Sequence, residues 1–234
     1  MTTSWQGKGL LDQVDFPKTL PATVVEPSPD PRIHGYSVQA ELGHHASFLD
    51  VVWLSFTAEL PTTSEREAFS RAMTWLSPVH VGEGPSHAAV LAKVAGAPTE
   101  VLPAIACVAL GQQLSAELAD LTPLFDWLHH PVGAVPDLAL EPAPTEGQRA
   151  GWERLCADAE RWFDAPTGFG RAVWRRQAAA WALLFHLGFR DAPRRQAMAT
   201  LARLPVILAE AACAPASVKQ YPTLTPAYVY EEAP

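Results

Sequence analysis

Between positions 177 and 189 the chain reads QAAAWALLFHLGF, apolar on nearly every face of a helix, and Ala178, Ala179, Ala180 and Ala182 favour helix strongly. A helix that is apolar all round lies inside a protein core or a membrane. The run is shorter than the about 20 apolar residues that a membrane span needs, and Arg175, Arg176 and Arg190 flank it closely. The pattern predicts a central buried helix with other helices packed around it, stopped by Gly188. A second apolar helix is predicted over residues 194–210. A buried helix fixes the side chains at its entrance, here Arg175, Arg176 and Gln177.

The rest of the pattern is helical too, with few strand signals. Residues 1–31 carry Pro17, Pro21, Pro27, Pro29 and Pro31, which deny regular helix, and only 23–25 looks extended. This segment is expected to be an arm or a short hairpin. Ser47 is placed to cap a helix whose apolar face is Phe48, Val51, Val52, Leu54 and Phe56. Thr63 or Ser64 is expected to cap the next, with Glu65 and Glu67 near its positive end. A polar loop at 77–85 leads to a helix opened by Ser86. Pro103 suits the first turn of a strongly apolar helix, and 121–129 is one more short helix. Residues 131–148 form a Pro- and Gly-rich connection. Residues 151–163 form an amphipathic helix with Trp152, Leu155, Cys156, Ala159 and Phe163 inward. The tail is extended, with Tyr228 and Tyr230 expected to lie on the body. The expectation is a mainly α fold of nine helices.

Composition narrows the function classes. Apolar residues make up 48% and charged residues 18% of the 234, which is the make-up of a globular chain and not a disordered one. A net charge of −8 gives no basis for binding nucleic acid or an anionic membrane. Cys107, Cys156 and Cys213 are far apart and odd in number, so buried thiols in a reducing compartment are expected, not a disulfide framework. The N-terminus lacks the apolar core of a signal peptide, which makes the cytoplasm the expected location. There is no phosphate loop, no GxGxxG and no metal-ligand spacing among the paired histidines at 44–45 and 129–130.

Five short motifs then occur in a telling order. RIHGY (32–36), SFLD (47–50) and AELP (58–61) are followed by HVGEGPS (80–86) and LARLP (201–205). The series resembles the family of citrate synthase and the citryl-CoA lyase-like enzymes. The resemblance implies a citrate synthase-like fold with a large helical domain and a reduced small domain. It divides the chain into an arm (1–31), the first part of the large domain (32–130), a reduced small-domain segment (131–174) and the closing helices and tail (175–234). It also implies a dimer in which the small-residue helices 86–97 and 103–114 pair across the axis. Acyl-CoA is the implied co-substrate, with no other cofactor and no metal.

Family catalysis needs a carboxylate to take the α-proton of the acyl thioester, a histidine on the enolate oxygen and a second histidine at the acceptor carbonyl. Matched residue by residue, these groups are missing. The first histidine falls at Leu114, with Gln113 beside it as a possible neutral donor. The second falls at Leu140, or at Arg171 by a rival match, and the carboxylate falls at Gln177. The segment ahead of the central helix is also shorter than the family's by about one helix, in a region that helps to hold CoA. Substrate-site features that survive are Arg203, matching the arginine that grips an acceptor carboxylate, and His80 on its loop. Arg175, Arg176 and Gln113 complete the candidate set for a small carboxylate ligand. Glu210 is expected beside Arg203, as an ion pair. Two functions follow. One is a non-catalytic structural or regulatory subunit, homodimeric or paired with an active citrate synthase paralogue. The other is an acyl-CoA-dependent acyltransferase or lyase acting on a small oxo-acid through relocated residues.

Overall fold

The computed structural model describes residues 19, 21–26, 28–164 and 167–215. The expectations for Tyr228, Tyr230 and most of the N-terminal arm fall outside these residues. The chain divides into two compact units, Met1–Pro61 and Thr62–Pro234.

The first unit turns the RIHGY motif into a small antiparallel sheet of β1 (Val25–Glu26), β2 (Arg32–Ile33) and β3 (Tyr36–Ser37). Ile33 pairs with Tyr36 across a two-residue turn. His34 and Gly35 both have positive φ, 47° and 86°, as a turn matched to the right-handed twist of its strands requires. A turn of π-helix (Val38–Leu42) and a single turn α1 (Gly43–His45) follow. Helix α2 (Phe48–Thr57) starts at Ser47, as expected, through a reciprocal cap with Asp50.

The second unit is helical. Helix α3 (Thr63–Leu76) is capped by Thr62, one residue ahead of the expected Thr63 or Ser64, because Thr62 and Glu65 complete a capping box. Helix α4 (Gly84–Val94) is not opened by Ser86. Pro85 takes the first turn, Glu83 stands at the N-cap, and Ser86 is fully buried. Helices α5 (Leu102–Asp120) and α6 (Thr122–His129) follow the expected pattern. Helix α7 (Glu146–Trp162) starts well before residue 151, since Thr145 and Gln148 cap each other. Its start places Gly147 and Gly151 inside the helix.

Helix α8 (Arg176–His186) is the predicted centre. Every residue from Ala178 to Phe185 is buried, and the turn closes at Gly188 with φ of 91°. Helix α3 packs along it, α6 also contacts it, and α9 (Ala192–Cys213) packs against α3, α4 and α5. The stacked Phe69 and Phe189 rings, 5.7 Å apart, pin the end of α8 to α3. Thr99–Asp120 is long and apolar enough to cross a membrane by length and composition alone. Its Leu102, Ala106, Leu110 and Leu114 are core residues, so one face of it is committed to the protein interior.

The cysteines depart from expectation. Cys107 and Cys213 are exposed and Cys156 is half-buried, none of them bonded to another. Cys107 sits beside Val108 on the open side of α5, where Val108 is 68% exposed. Helical patterning alone does not tell which apolar face of such a helix is covered.

Candidate functional site

Two consecutive arginines open α8, and they line different depressions. Arg175 reaches a cleft of about 480 Å³ with Gln177 and Ala178 of α8, Leu138, Glu83, and Gln113, Ala116, Glu117 and Asp120 of α5. Gln113 and Glu117 share a face because residues four apart on a helix are neighbours. Arg175 is held at the rim by its Nε–H, which donates to the Leu140 carbonyl at 3.0 Å.

Beneath the cleft lies Arg203 of α9, 1% exposed. Its Nη1 and Nη2 donate to the two carboxylate oxygens of Glu117 at 2.8 and 3.0 Å. Its Nε–H points to the Leu76 carbonyl at 3.3 Å. Trp181 of α8 adds a third donor to Glu117, Nε1–H to Oε1 at 2.9 Å. Planar two-point pairing of this kind is the strong form of a charge-assisted bond. The expected partner, Glu210, is exposed on α9 and takes no part. The correction has a simple cause: seven residues along a helix is about 10 Å of rise, beyond ion-pair reach, whereas the packing of α9 on α5 brings Glu117 directly onto Arg203.

The remaining candidates fall out as follows. Gln113 lines the cleft and donates from Nε2 to Glu83 Oε2 at 3.0 Å, leaving its buried Oε1 without a partner. Glu83 is also tied to its own loop, accepting from the His80 backbone N–H at 2.7 Å. The His80 ring serves the same turn, with Nδ1 accepting from Gly82 N–H at 3.0 Å. His80 does not line the cleft. Of the three family positions, Leu114 is buried core, Leu140 bridges to Trp174, and Gln177 lines the cleft. The rival position, Arg171, is exposed. No proton-accepting group stands at the start of α8, and among the described residues no group of three or more His, Cys, Asp or Glu could hold a metal.

Arg176 lines a second depression of about 430 Å³ with Trp75, Thr145, Gly147, Gln148, Gly151, Trp152 and Trp174. Its Nη1 donates to the Trp75 carbonyl. Burial, and then the nearby Arg203 guanidinium, push its pKa below the ordinary arginine value. Sequence reasoning missed Glu117, Trp181, Asp120 and this tryptophan-lined slot. The Gln113–Glu117 spacing on α5 was the available signal for the first of these.

The fold these elements build is the citrate synthase-like helical fold. Citryl-CoA lyase from Hydrogenobacter thermophilus shares it, with a TM-score of 0.62, 15% identity, and 92% of this chain and 95% of that one covered. ATP citrate lyase from Methanothrix soehngenii, in complex with citrate and coenzyme A, matches with a TM-score of 0.60 and 10% identity over 95% of this chain and 43% of that one. No protein-family model and no curated protein sequence matches the chain.

Proposed function

We propose that the chain is a non-catalytic scaffold of the citrate synthase-like fold, a structural or regulatory subunit. The observation that carries this is the engagement of Arg203: its guanidinium already holds a carboxylate, that of Glu117, through two bonds. An acceptor acid would have to displace an internal group that is held in place by Trp181 as well. Glu83, Glu117 and Asp120 bring three carboxylates to a cleft where Arg175 is the one arginine lining it, so a polyanion such as citrate meets like charge. Gln177 supplies no base at the entrance of α8.

As a subunit, the chain has an apolar face to offer. Leu91 of α4, Val101 in the turn just ahead of α5, and Val108 of α5 are exposed at 36, 39 and 68%. Pairing through this face, with a second copy or with a catalytically complete paralogue, would bury more than about 2,000 Å² in an obligate assembly. A monomer by light scattering at micromolar concentration contradicts the pairing.

The open cleft favours one other function, an acyl-CoA-dependent lyase or acyltransferase that uses the Glu83, Glu117 or Asp120 carboxylates in place of the missing base. Assays of citryl-CoA cleavage and of citrate formation, with melting curves in oxaloacetate, citrate and CoA, separate the two. The scaffold predicts no turnover and no melting shift. Turnover in the usual range of about 1–10³ per second, or a ligand shift lost in Arg175→Gln, overturns it.

A further inference from the structure

We propose that the slot between α3 and α7 is a binding site for a planar aromatic ring that carries a negative charge. Its lining is Trp75, Trp152 and Trp174 with the Arg176 guanidinium and the glycine face of α7. The site is separate from the Arg175 cleft and stands whether or not that cleft binds anything.

The walls suit a flat apolar ring. Trp152 and Trp174 stack at 5.7 Å with 18° between their planes, and Phe169 packs edge-on behind both. The Trp152 indole N–H is already taken by the Gly170 carbonyl at 3.0 Å. Trp152 and Trp174, each 3% exposed, form a packed aromatic back wall, and the ring surface open to an incoming group is that of half-buried Trp75, where aromatic pairs gain beyond area alone.

The floor is what singles this depression out. Gly147 and Gly151 are four apart on α7 and so lie on one face. Neither has a left-handed φ, and a Cβ built on either meets nothing within 4 Å. Helical backbone there favours alanine over glycine, and no neighbour forbids it. The helix forgoes stability at two positions, and the result is an open slot.

The charge comes from Arg176. Its backbone-anchored Nη1 fixes the head near Trp75; Glu83 and Glu117 act on it from a distance, but among the described residues no carboxylate lies within salt-bridge distance of it. Thr145 and Gln148 bring the positive end of α7 to the same slot. A guanidinium beside aromatic faces and a helix N-terminus is matched by a ring bearing a carboxylate or phosphate. A cationic ring is repelled, and an aliphatic acid gains nothing from the walls.

Isothermal titration calorimetry on the full chain tests this with 2-naphthoate, its neutral amide, acetate and AMP. The expected result is binding of 2-naphthoate, weaker by about tenfold or more for the amide, and none for acetate. Gly151→Leu, whose side chain fills the slot, and Arg176→Gln should each lower naphthoate affinity by about tenfold or more, without lowering the melting temperature. AMP binding with the same dependence on both variants supports the slot and assigns the anion as a phosphate. Absence of heat from both naphthoate and AMP at about 1 mM, a regime that catches even weak sites, overturns the proposal. Binding that survives both variants undiminished overturns it equally. If Gly151→Leu fails to fold, Arg176→Gln on the exposed rim decides alone.

Discussion

The two depressions at the start of α8 differ by one residue in sequence and by their whole chemistry. On the Arg175 side, three carboxylates line the cleft and the buried arginine beneath it is matched from within by Glu117. On the Arg176 side, three tryptophans line the slot, and among the described residues the guanidinium has a backbone carbonyl but no carboxylate within salt-bridge distance. The cleft carries its own counter-charge, and the slot sets a positive charge beside a packed aromatic wall and the half-buried Trp75. A charged group's environment, not its identity, determines whether it holds a fold together or remains free for a ligand.

The sharpest way to break this contrast is to empty the cleft of its internal carboxylate. Glu117→Ala leaves Arg203 buried without a partner, and removing one member of a buried pair costs about 3–5 kcal/mol. Urea unfolding should show a loss of that order. Acetate or formate should recover part of it in the variant and none in the wild type, since the guanidinium and the Trp181 N–H still frame a carboxylate-sized gap. A loss below about 1 kcal/mol, the level of an exposed pair, would mean the pair is structurally idle.

The aromatic cluster behind the slot reaches His186, whose Nε2–H donates to the Thr167 carbonyl at 3.0 Å. Burial lowers its pKa from about 6.5, and Arg190 adds to the effect against that hydrogen bond. With the folded value below the unfolded one, His186 contributes stability above the unfolded pKa and loses it as pH falls through the folded one. Urea midpoints should therefore fall as pH drops from about 7 through the region below about 6.5, and His186→Phe should flatten that fall. An unchanged slope in the variant removes His186 from the account.

Smaller effects sharpen the slot side. Gly151→Ala replaces a helical glycine where nothing obstructs a Cβ, so it should stabilise by about 0.4–1 kcal/mol in thermal melts. Destabilisation would mean the open space is not as drawn. Arg176→Gln, in contrast to any change at Arg203, should shift stability by no more than about 0.5 kcal/mol. A larger loss would make Arg176 part of the fold's framework and weaken its standing as a ligand group.

Much of the fold was legible because it rests on local rules. The unbroken apolar run at 177–189 marked α8, and buried Ala178 to Phe185 follow from it. Ser47 and Pro103 marked helix starts by chemistry confined to one turn. Starts were misplaced where two cap residues competed, as at Thr62 and Thr63, or where a second box lay hidden in a Pro-rich stretch, as at Thr145 and Gln148. The candidate site was legible only in part. Arg175, Gln113 and Gln177 do meet in one cleft, whereas His80 closes its own loop and Arg176 turns to another depression. The cysteine expectation failed because an apolar helix such as α5 can cover one face and leave Cys107 on the other.

By itself the sequence determined that the chain is helical and that α8 is its buried axis. These are consequences of short-range periodicity, capping and residue identity. Only the tertiary structure decided that Arg203 answers to Glu117, 86 positions away, and not to Glu210 on its own helix. Only it decided that two adjacent arginines serve separate cavities. The physical reason is that a buried charge pairs with whatever carboxylate the packing of α5, α8 and α9 brings within about 3 Å. That proximity is a property of how the helices cross, which no local pattern along the chain encodes.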